Sequence, residues 1–98
     1  MRSLVAGVIY DTSCATFVAE VYTRVYATDS YVRYYVWRLY ITKKGNWFGL
    51  VRDNNWLFSF LNEHELLPLS ADEAYKLLSD NELIELIKHY FPDKIQEA

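Results

Sequence analysis

Residues 31–52 read YVRYYVWRLYITKKGNWFGLVR, and this stretch decides the fold. From Tyr31 to Thr42 it is dense in Tyr, Val, Trp, Leu and Ile, side chains that suit a pleated, half-buried surface. Alternation puts Tyr31, Arg33, Tyr35, Trp37, Leu39 and Ile41 on one face and Val32, Tyr34, Val36, Arg38 and Tyr40 on the other. Neither face is polar throughout, so both are covered in part or one is a sticky surface. Lys43-Lys44-Gly45-Asn46 is a hairpin signal, because Gly45 accepts the positive φ that a tight turn demands. Trp47 to Arg52 is then the returning strand.

Outward from this hairpin the same period continues. Thr16 to Ala27 alternates, with Phe17, Ala19, Val21 and Val25 on the apolar face and Glu20, Tyr22, Arg24 and Tyr26 on the other. Leu4 to Tyr10 (LVAGVIY) is a short β-branched run and reads as one strand. Asp11-Thr12-Ser13, Thr28-Asp29-Ser30 and Asp53-Asn54-Asn55 are turns, since short polar side chains bond their own backbone. Trp56 to Phe60 reads as a last short strand. The expectation is an antiparallel meander of four to five strands.

After residue 69 the period changes. Ser70-Ala71-Asp72-Glu73 fits a capping box, and a helix to about Leu78 should bury Ala74, Leu77 and Leu78. Ser79-Asp80-Asn81-Glu82 reads as a second capping box. The helix after it carries Leu83, Ile84, Ile87 and Phe91 as an apolar stripe, and Pro92 ends it. Two short helices should therefore pack on one face of the sheet, burying Leu83, Ile84 and Ile87 against residues such as Val21 or Leu39. The class is α+β.

Composition bounds the rest. The 98 residues suit one domain, and 52% hydrophobic with 17% aromatic content excludes a disordered chain. A single cysteine, Cys14, excludes a disulfide scaffold. Every apolar run is interrupted well short of a membrane span. The first eleven residues reach an acid at Asp11, too early for a secretion signal, so a cytoplasmic location is expected. Charge is divided: residues 1–62 hold seven bases against four acids, and residues 63–98 hold nine acids against three bases. Such a chain is bipolar, its two parts suited to different partners or simply solvated by different charges.

Catalytic constellations are not evident. Glu63-His64-Glu65 is too compact to converge on one metal, and His89 sits near a helix end where a cation suits the dipole. Cys14 has no base or orienting group beside it and reads as a small packed side chain. Gly7, Gly45 and Gly49 form no phosphate loop. The expectation is a protein that is not an enzyme and takes no cofactor and no metal. The surplus is aromatic. Tyr, Trp and Arg dominate binding hot spots because they combine rigid area with a polar handle. Tyr22, Arg24 and Tyr26, on the face opposite Val21, are candidate partner contacts. Asp80, Glu82 and Glu85, in the acidic helical end, are the rival candidates. The first reading is a protein-binding module meeting a protein partner, with a homodimer also open. The alternative is a module that stacks single-stranded nucleic acid on the Arg/Tyr face, against which the net charge of −3 argues.

Three stretches together carry a resemblance. They are Tyr10-Asp11-Thr12 with Ala15, Leu39-Tyr40 with Thr42-Lys43-Lys44-Gly45-Asn46-Trp47-Phe48, and Leu67-Pro68-Leu69-Ser70 with Glu73-Ala74. In order and spacing they resemble a family of small bacterial proteins carried by phages, plasmids and other mobile elements. Members of that family show a YDT-x-T-A start, an LY-x-T-x-x-G-x-(Y/F/W)-F hairpin and a PLS-x-x-EA helix start. After Gly49 the family often has a GEGG turn, where this chain has Leu50-Val51-Arg52-Asp53-Asn54-Asn55. Some proteins resembling the family have been associated with anti-CRISPR activity. The resemblance therefore implies an inhibitor of a host defence nuclease or effector that acts by occupying a surface.

Overall fold

The computed structural model describes residues 1–26, 32–53 and 65–96, and the side chains of 24–26, 32–34 and 53 lie outside that description. The strands are β1 (Arg2–Val5), β2 (Val8–Asp11), β3 (Thr16–Tyr26), β4 (Val32–Ile41), β5 (Trp47–Asp53) and β6 (Glu65–Leu69). The helices α1 (Ala71–Asp80) and α2 (Ile84–Tyr90) follow. β3 to β6 form an antiparallel sheet in the order β3-β4-β5-β6, and β1 and β2 form a separate two-stranded sheet. The α+β class and the strands-then-helices order agree with the pattern of the sequence.

The Thr42–Asn46 turn forms as its residues dictate. Gly45 has φ 87°, its N–H donates to Thr42 O at 2.9 Å, and Asn46 N–H donates to the Thr42 hydroxyl at 3.0 Å. This turn sets the register in which Trp47 pairs with Ile41 and Gly49 with Leu39. At Gly49 the absent side chain matters, because a Cβ there would stand 2.6 Å from Trp37 Cε3. The indole of Trp37 lies against the backbone of β5 for that reason.

Each face of the sheet carries its own core. On one face Val21, Leu39 and Trp47 meet Ala74, Leu78 and Ile87 from the helices. Trp47 stacks on Phe91 at 5.5 Å and takes the edge of Tyr90 at 5.1 Å. On the other face Phe48, Leu50 and Leu66 meet Tyr10 from the hairpin, with Val5, Ala15 and Tyr40 packed around them. Both faces of β4 are covered, which explains why neither read as polar.

Three expectations for the strands and caps need correction, and one lies outside the described residues. Leu4–Tyr10 is a hairpin, turning at Ala6 (φ 50°) and Gly7 (φ 79°). Positive φ at both central positions marks a type I′ turn, whose twist matches that of the flanking strands. Phe17 is 51% exposed, because an irregularity between Phe17 and Ala19 shifts it to the Tyr40 side, where the rings meet at 5.4 Å. Val18 packs on the helical core instead. The fourth strand of the sheet is Glu65–Leu69, an edge strand in which Pro68 is tolerated, while Trp56–Phe60 lies outside the described residues. Lastly, Ser79 does not cap α2.

The helix starts differ for a local reason. Ser70 caps α1 as a full capping box: its hydroxyl accepts from Glu73 N–H at 3.1 Å, and the Glu73 carboxylate accepts from Ser70 N–H at 2.9 Å. Ser79 lies inside α1, whose last turn continues to Asp80. Leu83 is the residue before α2, with no side-chain cap bond. Of the predicted stripe, Ile87 is buried and Leu83 half-buried, but Ile84 is 52% exposed. The link between the helices, described below, rotates Ile84 outward.

Candidate functional site

The residues between the helices build a corner. Glu82 N–H donates to Ser79 O at 3.0 Å, and Leu83 N–H donates to Leu78 O at 3.1 Å. These two bonds, with Glu82 at φ 56°, are a Schellman motif. Glycine usually holds the left-handed position, and a glutamate there is strained by about 1–2 kcal/mol. Leu83 is thereby turned inward onto the core, while Glu82 and Ile84 face out.

Asn81 ties this corner to the sheet. Its Nδ2 donates to Leu77 O at 2.8 Å, closing the end of α1, and to Tyr22 O at 3.0 Å. Its Oδ1 accepts from Tyr22 N–H at 3.0 Å. The amide thus pairs with Tyr22 as a neighbouring strand would, on the edge of β3 that has no strand partner among the described residues. The two candidate regions, remote in sequence, meet at this point. Tyr22 is 48% exposed and belongs to the face away from the helices, and Asp80 and Glu82 flank the residue that holds its backbone. Arg24 and Tyr26 continue β3, and their side chains lie outside the described residues.

The electrostatics are milder than the sequence count suggests. Asp80 pairs with Lys76 at 3.1 Å and Glu85 with Lys88 at 3.9 Å, all four side chains substantially exposed. Such surface pairs contribute little stability. Among the described residues no salt bridge reaches Glu82. A groove of about 600 Å³ runs beside the corner, lined by Tyr75, Ser79, Glu82, Ile84 and Lys88 among others. The surface is therefore acidic at its rim and apolar at Ile84, with one strained, outward-facing carboxylate.

Other singled-out residues fall elsewhere. Cys14 is exposed, not packed, because the short 3-10 turn Thr12–Cys14 turns it outward. The start of that turn is held by Asp11, whose Oδ1 accepts the Ser13 hydroxyl at 2.7 Å and the Ser13 N–H at 3.0 Å. These bonds, with a smaller contribution from the charge of Arg2, hold the Asp11 carboxyl below its usual range. His89 is exposed and lies edge-on to Tyr90 at 4.6 Å. His64 lies outside the described residues. No cluster of His, Cys, Asp and Glu that could hold a metal occurs among the described residues, and no helix there is long and apolar enough to cross a membrane.

Sequence reasoning missed Asn81, Ile84 and the outer face of the hairpin. Asn81 fits the pattern of a second capping box, and the signal that a helix ends there, a glycine after it, is absent because Glu82 stands in its place. Leu4 and Ile9 were hidden inside an apolar run and in fact face outward at 69% and 54% exposure.

Comparison of the chain with protein-family models, with curated proteins and with solved structures found no match.

Proposed function

We propose that the protein is a non-catalytic protein-binding module that inhibits a nuclease or effector of a host defence complex by covering its surface. One observation carries the reading: Asn81 fastens the acidic helix corner to the backbone of Tyr22. The main chain of Tyr22 is thereby held beside Asp80 and Glu82, and we read this edge, with Glu85 and the exposed Ile84 at the start of α2, as a single pre-formed ledge. A pre-formed surface loses less entropy on docking than a mobile one. Its charge suits the basic channel of a nuclease, where complementary fields speed encounter and fix register. Tyr22 and Ile84 offer the apolar and aromatic area that carries affinity. Arg24 and Tyr26 extend the proposed contact row along β3. The resemblance to a mobile-element family supports the same reading.

The test begins in cells that carry one of a panel of CRISPR nucleases. Survival of a targeted plasmid is scored with and without the protein, and the protected nuclease is then purified and titrated. Tyr22→Ala should weaken affinity by about 2 kcal/mol with an unchanged melting temperature. Glu82→Lys with Glu85→Lys should slow association and alter its salt dependence. Protection from no nuclease in the panel would overturn the reading. So would tight, salt-sensitive binding of a single-stranded oligonucleotide in the absence of any protein partner.

A further inference from the structure

The hairpin packed on the other face of the large sheet carries a second surface of contrary charge. The hairpin β1–β2 lies over one face of the large sheet, burying Tyr10 and packing Val5 inward. Its outer face presents the cross-strand pair Leu4 and Ile9. Beside β2 runs a groove of about 600 Å³, whose far wall is the Thr42–Asn46 turn with Lys43 and Lys44. Arg2 and Asp11 pair across the hairpin at the groove's end. Among the described lining residues Arg2, Lys43 and Lys44 outnumber the one carboxylate, Asp11, so the groove is basic in its balance.

The near wall is a strand edge with no partner among the described residues. Among the described residues β2 pairs with β1 and with no other strand. The ladder runs on to Thr12 N–H, which donates to Met1 O at 2.9 Å. In an antiparallel pair, residues alternate between those whose main chain faces the partner and those whose main chain faces away. Counting back from Thr12, the N–H and C=O of Ile9 and Asp11 face away from β1. Two such residues, two positions apart, are the repeat that a further strand requires.

We propose that this edge of β2 takes an extended, acidic segment of a protein partner as a third strand of the hairpin sheet. Main-chain bonds to Ile9 supply the pairing. Apolar side chains of the segment lie beside Ile9 on the outer face of the hairpin, and its alternate carboxylates, on the opposite face, meet Lys43 and Lys44 across the groove. Among the described residues no aromatic ring lines the groove, so this part of its wall offers nucleic-acid bases no stacking partner. The site is independent of the acidic corner, whose partner must be basic, and either can fail without the other.

Selection of random displayed dodecapeptides on the intact protein tests the proposal. The expected winners alternate acidic and apolar residues. Cys14 is the chain's single thiol and lines the groove, so a bound peptide should slow its alkylation. Lys43→Glu with Lys44→Glu should weaken binding by about tenfold or more. N-methylation of the peptide at alternate amides should abolish binding, while methylation at the intervening amides should not, a signature that a mere charge contact lacks. Ile9→Pro removes one outward donor without touching the bonds to β1 and should also abolish binding. If that variant does not fold, the lysine variant and the N-methyl series decide. No enriched sequence, enrichment without acidic alternation, or N-methylation tolerated at every position would each overturn the proposal. Protection of Cys14 by a single-stranded oligonucleotide and not by acidic peptides would assign the groove to nucleic acid and overturn it too.

Discussion

Asn81→Ala removes three hydrogen bonds at one stroke. The bond to Leu77 O, at 2.8 Å, is partly buried and stabilises by about 1 kcal/mol. The two bonds to Tyr22, both at 3.0 Å, are exposed, and water can replace part of each, so about 0.5 kcal/mol apiece is the appropriate figure. The sum is about 2 kcal/mol, or a fall of about 8–16 °C in melting temperature for a domain of this size. Thermal denaturation followed by circular dichroism measures it. Amide hydrogen exchange adds a local readout: Tyr22 N–H should lose protection, and the β4–β5 amides should keep theirs at sub-global opening. A melting temperature within a degree or two of wild type, with Tyr22 still protected, would show that the corner is held by packing alone. The rigid-ledge argument for partner binding would then lose its basis.

Glu82→Gly relieves the left-handed strain at φ 56° and should raise stability by about 1 kcal/mol, read as a higher denaturant midpoint at constant slope. Gly49→Ala places a Cβ 2.6 Å from Trp37 Cε3 and should cost about 1–3 kcal/mol, with a changed tryptophan fluorescence spectrum. Ser70→Ala should cost about 1 kcal/mol through the lost cap, whereas Ser79→Ala, exposed inside α1, should stay within about 0.5 kcal/mol of wild type. Ser13→Ala removes the hydroxyl bond that does most to lower the Asp11 pKa, which should rise toward the ordinary carboxylate range in an NMR titration. The sign follows from that depression: the ionised Asp11 favours the folded chain above the ordinary carboxylate range, and this contribution fades as pH falls through the lowered folded value.

Local chemistry made much of this protein legible in its sequence. The Lys43–Asn46 turn, the alternation of β3 to β5, the Ser70 capping box and the α+β order depend on neighbours a few residues apart, and those neighbours are visible in the chain. Covering of both faces of β4 was legible too, since apolar residues at both parities leave no face for water. Tertiary structure decided what local chemistry left degenerate. The run Leu4–Tyr10 suits a buried strand as well as a hairpin, and only the need to cover Phe48 and Leu50 selects the hairpin that leaves Leu4 and Ile9 outside. Ser79-Asp80-Asn81-Glu82 suits a helix start as well as a helix end. Its role is settled by Asn81 finding the backbone of Tyr22, 59 residues away, a partner that no local pattern reveals. Ile84 is exposed for the same reason, because the turn that Asn81 secures fixes the phase of α2. The candidate residues were therefore readable as types, but their meeting at one edge was not, since it depends on a contact between the first long strand and the last turn of a helix.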